Sequence, residues 1–91
     1  MSTTLIVTHK VGDFASWKSK FDADETNRIH AGLRVKGLYQ SIEDPNEVTL
    51  VSEAEDIEKV KALFSNPDFQ KVMQEAGVVS EPQIKMLKSA L

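Results

Sequence analysis

Bulky and β-branched residues gather between Thr3 and Val11, where Leu5, Ile6, Val7, Thr8 and Val11 predict a first strand. Gly12 breaks that run, and Asp13 is a good N-cap for a helix starting at Phe14. From Phe14 the period changes. Phe14, Trp17 and Phe21 recur at i, i+3 and i+7, the spacing of one helix face, and the helix is expected to reach His30 or Ala31. Gly32 then suits the left-handed position beyond a helix end, and His30 in the last turn suits the helix dipole. Leu33 to Ile42 predicts a second strand with Val35, Leu38, Tyr39 and Ile42 as its bulk and Gly37 as a bulge site. The turn formers Glu43-Asp44-Pro45-Asn46 lead by a hairpin into a third strand over Glu47–Ala54.

Asp56 opens a second helical region through Ile57, Val60, Leu63 and Phe64. Asn66-Pro67 interrupts it and starts a new segment, because proline fits a first helical position. Phe69, Val72, Met73 and Ala76 resume the helical spacing, and Gly77-Val78 reads as a Schellman ending. Pro82 to Leu91 predicts the last strand. The order β-α-β-β-α-β is that of a ferredoxin-like α+β fold, a four-stranded antiparallel sheet with two helices on one face.

Helices on one face leave the other bare, and a bare antiparallel face should be polar. Here Ile6, Val51 and Leu87 alternate out of phase with Leu5, Val7, Val48, Leu50, Ile84 and Met86, so both faces carry apolar residues. A second copy of the chain, sheet against sheet, is the expected cover. Size supports this. A chain of 91 residues makes one domain, residues 1–91, and it has no cysteine to staple a small core.

A net charge of −3 disfavours nucleic-acid backbones and anionic membranes, and the strands carry no aromatic stacking platform for RNA. No apolar run is long enough for a membrane span, and Met1 to Thr4 makes no basic leader, so a cytoplasmic protein is expected. Phosphate loops and nucleophile elbows are missing.

The stretch from Val7 through Gly12-Asp13-Phe14 and Trp17 to Asp22, with Arg28 and Gly32, resembles the dimeric α/β-barrel superfamily. It is closest to the small antibiotic-biosynthesis-monooxygenase-like members, and Asp44 to Val48 and Met73 to Val78 fit the same pattern. The resemblance implies homodimers built sheet to sheet into a barrel, with a pocket between sheet and helices in each subunit. It also implies oxygenase, isomerase or cyclase activity in some members and none in others. Cyclases of the superfamily use histidines near the start of strand one and near strand four. Thr4 and Leu5 stand in the first region here and Gln83–Leu91 holds no histidine, so cyclase chemistry is not expected.

The side chains open to chemistry are few. His9 and His30 lack metal-ligand spacing, so no metal or cofactor is expected. Arg28 falls on the stripe of Phe14, Trp17 and Phe21, either reaching a pocket to hold an anionic group or pairing with Asp24 or Glu25. His9, with an ordinary pKa near neutrality, is the candidate base. Trp17, Phe21 and Tyr39 are candidate contacts for a planar ligand, although core packing is the commoner use of such a tryptophan, and packing or a dimer interface that of such a tyrosine. Two functions remain open: cofactor-independent oxidation or isomerisation of a small aromatic or polyketide-like compound, and a non-catalytic dimer that binds a ligand or a partner.

Overall fold

The computed structural model describes residues 3–91, and three antiparallel pairings in it decide which side chains face the helices. Strands β1 (Thr3–Lys10), β2 (Leu33–Gln40), β3 (Glu47–Ala54) and β4 (Gln83–Leu87) form one sheet in the order β2-β3-β1-β4. Helices α1 (Phe14–Ala23) and α2 (Glu25–His30) follow β1, and α3 (Ile57–Ser65) and α4 (Pro67–Glu75) follow β3. This is the ferredoxin-like α+β arrangement that the sequence predicts. Within one chain the sheet stays open, with β2 and β4 as its edges.

Local chemistry accounts for most boundaries. The carboxylates of Asp13 and Asp56 accept from the backbone N–H of Ser16 and Glu58, and the Asn66 side chain accepts from Asp68 ahead of Pro67. Gly32 and Gly77 take φ of +76° and +99°, where a Cβ would be strained. The Val78 N–H donates to the Met73 carbonyl at 3.1 Å and the Gly77 N–H to that of Gln74 at 3.0 Å, the paired bonds of a Schellman ending.

The first helical region is two helices, not one. At Asp24 the chain leaves α1, and the Asn27 side chain and N–H both bond back to Asp24, an alternative that short polar residues offer the backbone. The outer strands are also shorter than the apolar pattern predicts. β2 ends at Gln40 because Ser41 is already bonded to Glu47 across the hairpin, and Ile42 is fully exposed. β4 ends at Leu87 because β1, its sole partner, pairs with it only as far as Thr4.

Register then sorts the faces. Leu5, Val7 and His9 of β1 lie opposite Ser52, Leu50 and Val48 of β3, so these six share the face beneath the helices. One cluster packs Leu5, Leu33, Ala54 and Val60 with Phe64 of α3, and another packs Val11, Trp17 and Val48 with Phe14 and Phe21 of α1. The shift between Val35 and Gly37 is the bulge expected at Gly37.

Candidate functional site

The two clusters do not close on each other. Between them, under the helices, lies a cavity of about 430 Å³, lined by Trp17, Phe21 and Arg28 from the first helical region and by Phe69, Met73 and Ala76 from α4. Val7, Leu50 and Ser52 form its floor, and His9 stands beside Trp17. A volume of this order suits a small-molecule ligand.

One wall is a continuous row of rings. The His9 ring meets Trp17 edge-on with centroids 5.5 Å apart, and Trp17 stacks on Phe21 at 4.9 Å. The Arg28 guanidinium then lies 3.7 Å above the Phe21 ring. Its Nη1 also donates to the Phe21 carbonyl at 2.7 Å. Neither ion pair foreseen for Arg28 forms. The guanidinium caps α1 where the chain turns at Asp24, and burial lowers its pKa against the opposing pull of Asp24, Glu25 and Asp22. A second clasp joins the walls: Lys20 Nζ on α1 donates to the Glu75 carbonyl at the end of α4 at 2.7 Å.

His9 is 5 % exposed, and its Nδ1 is sealed from solvent without a hydrogen-bond partner. Burial lowers the imidazole pKa below 6.5, with its own backbone pulling the other way. The ring is therefore held neutral near pH 7, able to accept a proton.

Of the side chains that the sequence singles out, His9, Trp17, Phe21 and Arg28 come together around this cavity. Tyr39 does not. It pairs with Thr49 on the opposite face, 58 % exposed, its ring lying over Gly37 so closely that a Cβ there would fall 2.6 Å from it. Ser52 was not foreseen, although the signal was legible: it is the polar member of the inward series Val48, Leu50, Ser52, Ala54. Among the described residues no cluster of three His, Asp or Glu could hold a metal ion, and no helix is long and apolar enough to cross a membrane.

The profile of the family described as Domain of unknown function (DUF3764) matches residues 1–87. The chain belongs to that family. No curated protein matches this DUF3764 sequence. Among solved structures, it is similar to a candidate antibiotic biosynthesis monooxygenase from Bordetella bronchiseptica, with TM-score 0.79, 24 % identity, and 99 % of this chain and 98 % of that one covered. It is also similar to SnoaB, a cofactor-independent oxygenase from Streptomyces nogalater, with TM-score 0.73, 15 % identity, and coverage of 99 % and 94 %. A conserved protein from Methanosarcina mazei gives 0.69, 15 %, and coverage of 97 % and 92 %. These likenesses place the DUF3764 chain in the antibiotic-biosynthesis-monooxygenase-like fold.

Proposed function

We propose that this chain is a cytoplasmic homodimer whose subunits each bind a small planar aromatic compound beneath the helices and oxidise it without a cofactor. One observation carries the reading: a neutral, buried histidine with an orphaned nitrogen stands at the wall of a mostly aromatic and aliphatic cavity. Such a group destabilises the folded chain, and orphaned polar groups of this kind gather at functional sites.

The substrate lies along the Trp17–Phe21 wall. Because Nδ1 is sealed, the Nε2 edge of His9 is the part of the ring that meets it. His9 removes a proton from an activated CH₂, and the carbanion delocalises into the aromatic system as an enolate. Arg28 uses one nitrogen on Phe21, and the other donors of its fork stabilise the enolate oxygen. The carbanion reduces dioxygen, giving a hydroperoxide after proton return from His9. Loss of water converts that CH–OOH to a ketone, so one CH₂ and one O₂ give one C=O and one H₂O. Burial favours the neutral imidazole before the step and makes the imidazolium eager to return its proton afterwards.

The fold of SnoaB supports this reading, since its cofactor-independent oxygen chemistry runs on the same scaffold. Oxygen uptake with anthrone, a planar ketone with a doubly activated CH₂, is the test. Wild-type protein should accelerate uptake, His9→Ala should lose at least about 100-fold, as for a lost general base, and anthrone should still bind. Tight binding with no uptake by the wild type would make the protein a ligand carrier instead.

A further inference from the structure

Ser52 has no part in the chemistry given to His9 and Arg28, yet it is the other buried polar side chain among the described residues, 7 % exposed. It occupies an inward position of β3, with Leu5 and Val35 beside it in register, and it lines the same cavity. A valine or alanine there would pack without stripping a hydroxyl of water. The register also sets its distance from His9. Ser52 pairs with Leu5, and His9 stands four residues further along β1. At about 3.3 Å per residue and about 4.8 Å between strands, the two Cα atoms are about 14 Å apart. No hydrogen bond joins groups so separated. Val7 and Leu50 lie between them on the floor, and both side chains rise from the same face, so their polar ends stand about as far apart as their Cα atoms.

We infer that the cavity selects flat, elongated ligands with a polar group at each end, one read by His9 and the other by Ser52. The inference rests on the cavity being a ligand site. Two fused six-membered rings with oxygens at opposite corners hold those oxygens about 8 Å apart, and a hydrogen bond of about 2.8 Å at each end extends the span to about 13–14 Å. A single ring is too short. The serine hydroxyl both donates and accepts, so it takes a phenol or a carbonyl, whereas a ligand with one polar end leaves one anchor unpaired.

Calorimetric titration with naphthalene-2,6-diol and 2-naphthol tests this. Wild-type protein should bind the diol about five- to tenfold more tightly, the worth of one buried hydrogen bond. Ser52→Ala should bind both with the affinity of 2-naphthol, and Ser52→Thr, which keeps the hydroxyl, should retain the preference. Equal affinities in the wild type, or a preference that survives Ser52→Ala, would overturn the role of Ser52 and leave the cavity as a ligand site. Failure of both compounds to bind while anthrone binds would defeat this inference alone, and failure of all three would defeat the ligand site with it.

Discussion

His9 joins burial, an unpaired nitrogen and a lowered pKa in one side chain, and this makes its contribution to stability depend on pH. The unfolded chain takes up a proton near pH 6.5 and the folded chain only below it. Between those two values the unfolded state binds more protons, so stability falls as pH drops below 6.5 and carries no His9 contribution above it. Denaturant melts at about pH 5 and about pH 7.5 should show a larger acid loss in the wild type than in His9→Gln, the variant serving to subtract the carboxylates. An identical loss in both would mean that the imidazole is protonated as easily in the fold as out of it. The neighbouring aromatics bear on the same point, because Trp17, 3 % exposed and stacked on Phe21, helps to exclude water from the ring.

At the scale of elements, the turn between α1 and α2 is the feature that builds the cavity rim, and Arg28 holds it. Its bond gives the Phe21 carbonyl at the end of α1 a second donor beside the Asp24 N–H, and its stacking fixes the Phe21 ring in the wall. Arg28→Ala should therefore cost about 1–2 kcal/mol, lowering Tm by several degrees in a chain this small. That exceeds the loss expected of a screened ion pair. Arg28→Lys should recover little, since an ammonium cannot lie flat on the ring while bonding the carbonyl. Thermal melts of the two variants settle the matter, and a lysine variant as stable as wild type would show that charge alone matters. The helix period gave no warning of this break. Phe14, Trp17 and Phe21 keep step as far as Phe21, and the interruption depends on Asp24 and Arg28 finding partners that spacing does not reveal.

For the whole molecule, the face away from the helices presents Ile6 and Val51 in register across the sheet centre, with Tyr39 and Leu87 further out. Thr8 and Thr49, joined by their hydroxyls at 3.0 Å, and the charged Glu53 and Lys85 share that face. An apolar centre within a polar surround is the composition of an interface, and a second copy is the occupant we propose. Light scattering should report about twice the chain's 10.1 kDa. Val51→Lys, which places an ammonium at the centre of the contact, should halve that mass while leaving the circular dichroism spectrum unchanged. A wild-type particle of 10.1 kDa would remove the dimer from the reading.

The order of strands and helical regions, the helix starts at Asp13, Asp56 and Pro67, and the glycines beyond two helix ends were all written in the sequence. Each depends on residues within a few positions of one another, so local pattern was enough. The alternation of β1 grouped His9 with Leu5 and Val7 but could not say which face they shared. Only the pairing of β1 with β3, and the helices laid over one side, decided that His9 points inward. The same pairing sent Tyr39 to the other face and brought Ser52 into the cavity from a strand more than forty residues away in the chain. A cavity exists only where separate elements fail to meet, and the space between two packed clusters is a property of the tertiary structure alone.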